Sequence, residues 1–544
     1  MKIVEIVVMI LAGCGAFLLG FKVLSDNMEK IAGNSLKNLF NKTSNKRMVN
    51  VGMGMVTTAV VQSSSITSVM VVGFVNAGIM SLYQAAAIIM GANIGTTITA
   101  QIAALQAFDI DLVFMFLLFL GVFMDLFSKN DKVKKIGLAL AGLGLVFVGL
   151  GLMSDPMSSL KESPAVMNTL AKISNPVLLL LVGVALTAII QSSSAVTTIL
   201  ISMASAGLII GGGGNAPLYI VLGSNIGTCV TALISSIGTS ANAKRASMIH
   251  LLFNVIGSLL FMVLLLCWRS FSEVTLERWF SSPSTQIAMF HTIFNVTCTL
   301  LFLPFINLLV KASMKLVPTK GQAAKAPSEL VFMDKRFLAT PAVAIGQLKK
   351  ETMRMADMAM ASLRVAFGGF IDRDLEAVEN VYERNENVST LSEQISDYLV
   401  QVSASGASLA DEKQINALHS NIGDIARIAE LADNLTKYTK REVNDNLTFS
   451  DGINEKLEVM HDMLHKQYDL VNKIVLDDRK DLVGESDALE DEIDEKRRDL
   501  VAEHIARLGQ GKCKPENNTI FVNLVCNLER VGDHLNYIVH STDN

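Results

Sequence analysis

Gln62, Ser63, Ser64 and Ser65 form a tetrapeptide that recurs as Gln191, Ser192, Ser193 and Ser194, each time inside a long apolar stretch. A second block follows each copy in the same order, Gly91-Ala-Asn93-Ile-Gly95-Thr96 and Gly223-Ser-Asn225-Ile-Gly227-Thr228. The offsets are 191 − 62 = 129 and 223 − 91 = 132, so the copies differ by three residues, assigned to the glycines from Gly211 to Gly214. The chemistry on offer is neutral: residues 51–106 and 177–238 contain no Asp, Glu, Lys, Arg or His. Hydroxyls and amides left unsatisfied in hydrocarbon cost several kcal/mol apiece, so these groups must pair with one another, with water or with a ligand.

A helix broken at such a tetrapeptide exposes N–H groups at the N-terminus of its second half, which seats an anion, and serine hydroxyls there add donors. Carbonyls at the opposing ends, with Gln, Asn, Ser and Thr oxygens, suit a hard cation such as sodium. With no fixed cation in either core, a multiply charged anion must bring its own neutralising charge, so anion and cations are expected to bind together. No carboxylate or imidazole within the cores can relay a proton. The outlying His250 and His291 keep protons as an alternative coupling ion.

The elements that must position these groups follow from hydropathy. Of 544 residues 51% are hydrophobic, with a mean hydropathy of +0.42 that averages two different solvents. Apolar runs lie near 4–24, 51–80, 84–106, 111–127, 136–153, 177–210, 217–238, 246–268 and 287–310, most of them long enough to span a bilayer. The runs at 51–80 and 177–210 are too long for one simple span and predict a re-entrant hairpin or broken helix, with Gly73, Gly78 and the four glycines from Gly211 as bends. Leu11-Ala-Gly-Cys14 resembles a lipoprotein cleavage box, but the apolar run continues through Leu24 and the leader is poorly basic, so an uncleaved first span is expected. Basic connections at 30–47, 129–135, 244–245 and 311–320 are expected to face the cytoplasm. His250 with Asn254 and His291 with Asn295 each share a helix face, as interhelical glue or as substrate contacts. The six cysteines show no metal or disulfide spacing.

Beyond Pro318 the chain is charged and helical in rhythm. Residues 337–544 predict helices near 340–367, 372–404, 408–443, 449–478, 482–509 and 515–541, joined to the membrane part by a linker at 316–336. Three helices repeat as three more: Leu391-Ser-Glu393-Gln-Ile395 matches Leu489-Glu-Asp491-Glu-Ile493, and Asp424-Ile-Ala-Arg427-Ile matches Asn527-Leu-Glu-Arg530-Val. The expectation is an all-α chain: a transmembrane domain at 1–315 and a cytoplasmic bundle of two three-helix repeats. No nucleophile–base pair, phosphate loop or zinc spacing points to an enzyme.

The paired Gln-Ser-Ser-Ser and Gly-x-Asn-Ile-Gly-Thr blocks resemble the type II sodium–phosphate cotransporter family, and the tail resembles its bacterial branch with a PhoU-like domain, through Met355-Ala-Asp357 and Asn527-Leu-Glu529-Arg530-Val-Gly532-Asp533-His534. The resemblance implies two inverted repeats in a bacterial plasma membrane, moving inorganic phosphate with sodium by alternating access. It places phosphate on Ser64, Ser65, Ser193, Ser194, Asn93 and Asn225, and sodium on Gln62, Ser63, Thr96, Gln191, Ser192 and Thr228. Sodium is the coupling ion, with no covalent cofactor. The implied partners are phosphate, sodium, the bilayer and a cytoplasmic regulatory protein for the tail, with no nucleic acid; whether the chain forms a homo-oligomer is open. In PhoU-like repeats an acidic pair at i and i+4 can hold a metal; Glu529 and Asp533 keep that pair, whereas the first repeat has Ala426 and Glu430. A regulator with little transport, or a carrier of a related oxyanion, is the alternative.

Overall fold

Both polar tetrapeptides interrupt a helix, and the computed structural model shows how. Val61 ends one helix and Ser64 starts the next; Ile190 and Ser193 do the same in the second copy. Residues 3–41, 46–108, 110–208, 210–318, 328–339, 341–405, 409–447, 449, 452–511, 513 and 515–541 are described. Among them there is no β-strand, and the chain forms two compact units, Met1–Gln322 and Ala323–Asn544.

The first unit contains α1 (Ile3–Asn41), α2 (Arg47–Val61), α3 (Ser64–Asn76), α4 (Leu82–Ala104), α5 (Asp111–Phe127), α6 (Asp131–Lys161), α7 (Pro164–Lys172), α8 (Pro176–Ile190), α9 (Ser193–Ser205), α10 (Ala216–Gly227), α11 (Cys229–Ser235), α12 (Ala241–Cys267), the single turn α13 (Glu277–Trp279), α14 (Pro283–Phe302) and α15 (Ile306–Leu316). Six of its spans are long and apolar enough to cross a membrane, carried by α1, α4, α6, α10 with α11, α12, and α14 with α15. Another, α7 with α8, is bent by 102°. The chain is a polytopic all-α membrane protein.

The apolar runs expected from sequence coincide with these helices, but α1 continues to Asn41, well past Leu24. α6 packs alongside α1, and Gly13 and Gly20 meet the backbone around Gly149 and Gly142. Cys14 lies within this helix, half-buried. Gly73 stays inside α3 and does not bend the chain, whereas Gly78 (φ 72°) and Gly211 to Gly214 take positive φ and do.

Helix pairs α2–α4 and α8–α10 are held together by glycines. A methyl group on Gly54 would strike the Ile88 carbonyl, on Gly91 that of Val51, and on Gly95 that of Met55. The second half repeats all three: Gly183 against Ile220, Gly223 against Leu180, and Gly227 against Val184. Small residues at these contacts let backbones approach closely where no hydrophobic drive exists between helices in lipid.

The second unit is built from α16 (Pro341–Ile371), α17 (Leu375–Ala404), α18 (Leu409–Asn444), α19 (Ile453–Asp477), α20 (Val483–Gly509) and α21 (Glu516–Ser541), all close to the expected bounds. α16 packs on α17 and α18, α19 on α20 and α21, and α18 joins α21. Its core is aliphatic, with Leu363, Leu391, Ile425, Leu435, Leu464 and Leu528 fully buried.

Candidate functional site

The two breaks have the same backbone. Gln62 (φ 56°, ψ 22°) and Gln191 (φ 57°, ψ 26°) are left-handed C-caps that donate their N–H to Thr58 and Thr187 carbonyls at 2.7 Å. Ser63 and Ser192 are extended N-caps whose hydroxyls accept from Ile66 N–H (3.2 Å) and Ala195 N–H (3.1 Å). Serine suits this position because its oxygen reaches the third helical amide. The amides of Ser64, Ser65, Ser193 and Ser194 then belong to the first turns, which have no intrahelical acceptor. Ser64 and Ser193 are buried; Ser65 and Ser194 are half-buried. Each break thus offers backbone donors, two hydroxyls and a partial positive charge without any formal charge.

Thr96 and Thr228 point their hydroxyl protons at the carbonyls of Ala92 (3.0 Å) and Ser224 (2.9 Å), one turn back. Their oxygens keep lone pairs for a cation. The helix α4, carrying Asn93 and Thr96, packs against both restarted helices, α3 and α9. The two halves are not identical in their polar contacts. Gln62 Oε1 accepts from Thr99 Oγ1 at 3.0 Å, whereas Gln191 is exposed and its amide has no partner among the described residues. Asn93 Nδ2 donates to Asn254 Oδ1 at 3.3 Å, while Asn225 Nδ2 turns back onto Val221 O at 2.9 Å.

His250 and His291 are buried on α12 and α14, and neither ring nitrogen of either has a hydrogen-bond partner among the described residues. Asn254 is fully engaged, donating to His250 O (3.0 Å) and Cys229 Sγ (3.4 Å) while it accepts from Asn93. Here the interhelical reading of the His and Asn pattern holds for Asn254 and leaves the imidazoles unaccounted for.

Sequence reasoning passed over Thr99, Thr231, Ser258 and Thr299. The first two were within reach, since the repeated block extends to Gly-x-Asn-Ile-Gly-Thr-x-x-Thr in both copies. Ser258 and Thr299 lie outside the repeated blocks, yet Ser258 Oγ donates to Leu222 O (3.0 Å) and Thr299 Oγ1 to Met90 O (3.3 Å). The acceptors are 222 − 90 = 132 positions apart, the offset of the second block, so α12 grips α10 as α14 grips α4.

A cavity of about 640 Å³ is lined by Gly212, Gly213, Gly214, Ser272, Glu273 and Glu277 among others, and none of the tetrapeptide residues borders it.

In the tail, Glu529 and Asp533 lie on α21 opposite Asp494 and Glu490 of α20, bonded as Glu529–Asp494 and Glu490–Asp533 pairs. Burial, then the Asp494 bond and the neighbouring Asp533 charge, push Glu529 up to about 7 despite Arg497 at 3.1 Å. Burial likewise raises Asp533 and Glu490. Among the described residues no group of three or more His, Cys, Asp or Glu is placed to hold a metal ion. A metal at Glu529 and Asp533 would have to displace the shared protons and Arg497. In the first repeat Ala426 supplies no ligand and Glu430 pairs with Arg427.

Known proteins place these features in a family. The chain matches the Na+/Pi-cotransporter family over residues 16–155 and 161–277, and the PhoU domain over 352–439. It is 32% identical over 271 residues to the uncharacterized protein YqeW of Bacillus subtilis, covering 49% of this chain and 84% of that one. The putative inorganic phosphate export protein YjbB of Escherichia coli K12 is 24% identical over 352 residues, 64% of this chain and 62% of its own length. Human sodium-dependent phosphate transport protein 2B is 34% identical over 92 residues, 16% of this chain and 13% of that protein. No solved structure matches. With its matching sequence, its membrane-spanning helices and its PhoU-type tail, the chain belongs to the Na+/Pi-cotransporter family.

Proposed function

We propose that this protein is a sodium-coupled secondary active transporter of inorganic phosphate, working by alternating access between two inverted repeats. The observation that carries the reading is the pair of identical helix restarts, at Ser64 and Ser193, in membrane segments without a fixed charge. Unpaired N–H groups and hydroxyls of Ser64, Ser65, Ser193 and Ser194 are donors that suit an anionic ligand. Asn93 and Asn225 are assigned as further phosphate ligands. Because no Lys, Arg or His lies in either core to balance phosphate, cations must accompany it. Gln62, Ser63, Thr96, Gln191, Ser192 and Thr228 supply neutral oxygens for sodium; Ser63 and Ser192 also cap their helices.

On this reading the tail is a cytoplasmic regulatory domain and the membrane is the bacterial plasma membrane. Purified protein in liposomes should accumulate labelled phosphate when an inward sodium gradient is imposed and not when an inert organic cation replaces sodium. Equal uptake in both would end the coupling proposal. Efflux from loaded vesicles under the opposite gradient reports whether the same cycle runs outward, the direction that the relative YjbB carries in its name.

The match of residues 352–439 to the PhoU domain favours a second reading, a membrane-anchored regulator. Removing residues 337–544 separates the two. A transporter keeps sodium-dependent flux without its tail, whereas a regulator loses its cellular phenotype and has no flux to keep.

A further inference from the structure

The two halves share a set of helix contacts, yet four matching pairs of side chains are bonded differently. The Ser258–Leu222 and Thr299–Met90 bonds, and the three glycine contacts of each half, are made on both sides. By the same offsets of 129 and 132, and 299 − 258 = 41 between α12 and α14, Gln62 corresponds to Gln191, Thr99 to Thr231, Asn93 to Asn225 and Asn254 to Asn295. Residue types agree at all four positions. Yet Thr99–Gln62 and Asn93–Asn254 are bonded in the first half, and neither counterpart is bonded in the second. Thr231 Oγ1 and Asn295 Oδ1 are instead buried without a partner among the described residues, and Asn225 turns to its own helix. Identical chemistry with unequal bonding means that the helices stand differently in the two halves. Buried orphan oxygens are costly, and among those of the membrane unit these two are the missing ends of bonds already formed across the repeat.

We infer that Thr99 with Asn254, and Thr231 with Asn295, are positioning residues that hold the Gln and Asn of one half at a time. The bonds made here in the first half are released, and their counterparts made in the second, when the protein faces the opposite side. This rests on the alternating-access reading and adds its latch. An exchange of like for like leaves the two end states with the same number of hydrogen bonds. Their energies then stay close enough for ligand binding to shift the balance.

Thr99→Val and Thr231→Val remove the hydroxyls with little change of shape and keep every proposed ligand in the chain; Thr99 meets the proposed sodium ligand Gln62 only through the bond under test. In sealed vesicles of both orientations, the KM for phosphate measured from one side should rise about fivefold in one variant and fall in the other, the size expected of one neutral hydrogen bond, with the pattern reversed from the other side. Shifts of the same sign in both variants, or no shift, overturn the latch, because a structural role would move both alike. Should either variant fail to fold, Asn254→Leu and Asn295→Leu, which replace no proposed ligand, take their place with the same expectation: KM shifts of opposite sign from one side, reversed from the other. Shifts of the same sign, or none, in that pair overturn the latch. Wild-type protein that moves no phosphate in liposomes ends the transport reading on which the latch rests, whereas wild-type uptake with same-sign shifts in the variants ends the latch alone.

Discussion

Gln62 and Gln191 share a left-handed backbone, φ 56° and 57°, that ends one helix and lets a serine begin the next two residues later. Left-handed φ strains any residue but glycine, by about 1–3 kcal/mol. Glutamine stands there in both copies, so its side chain carries a role that glycine could not fill. Gln62→Gly should relax the backbone, preserve the fold and raise the sodium concentration for half-maximal uptake. Gln62→Val should lower the melting temperature in detergent, since a β-branched residue fits left-handed φ worst. An unchanged sodium curve in the glycine variant would remove Gln62 from the cation ligands.

The anion assignment rests on donors, and Ser64 and Ser193 are the buried ones. Hydrogen bonds to charged groups contribute about 1.5–3 kcal/mol, so Ser64→Ala or Ser193→Ala should weaken apparent phosphate affinity about tenfold to a hundredfold. Initial uptake rates across a phosphate series measure this. Wild-type KM in both variants would refute the assignment.

Gly91 and Gly223 open the repeated block, and a methyl on either would overlap a carbonyl of the partner helix. Gly91→Ala and Gly223→Ala should each cost about 1–3 kcal/mol through overpacking and reduce the yield of monodisperse protein. Gly52→Ala meets nothing within 4 Å and is the control. Equal behaviour of all three on size exclusion would show that the glycines matter for something other than close packing.

The tail carries a pH dependence of definite sign. Glu529 is raised from 4.5 to about 7 by burial and its acidic neighbours, so the folded tail holds a proton that the unfolded chain has released. Its contribution to stability is complete below about 4.5 and is lost as pH rises through about 7. Glu529→Gln should flatten that part of the profile, so that the variant gains on wild type between pH 5 and pH 8 in thermal unfolding of the full chain, with pH 5 and pH 8 chosen to bracket roughly this window. His461, lowered to about 4 by burial and by His465, works the other way below its ordinary 6.5, which makes the difference between variant and wild type the informative quantity. A constant difference across the range would show that Glu529 titrates normally.

Much of the fold was legible without coordinates. Hydropathy runs located the membrane helices because hydrocarbon admits only apolar, internally bonded segments, and amphipathic rhythm located all six tail helices to within a few residues, although Gly368 and Gly369, read as a break, lie inside α16. Register between the two Gln-Ser-Ser-Ser copies identified the breaks, since serine caps and glutamine at a helix end are local events that a few residues determine. Tertiary structure alone decided three things. It extended α1 to Asn41, past the point where hydropathy alone would end it. It showed the glycines of the second block to be packing contacts between neighbouring helices. And it bonded Asn93 to Asn254 while leaving Asn295 Oδ1 without a partner among the described residues, a difference between identical residues that no sequence can express, because it depends on where distant helices stand and not on which side chains they carry.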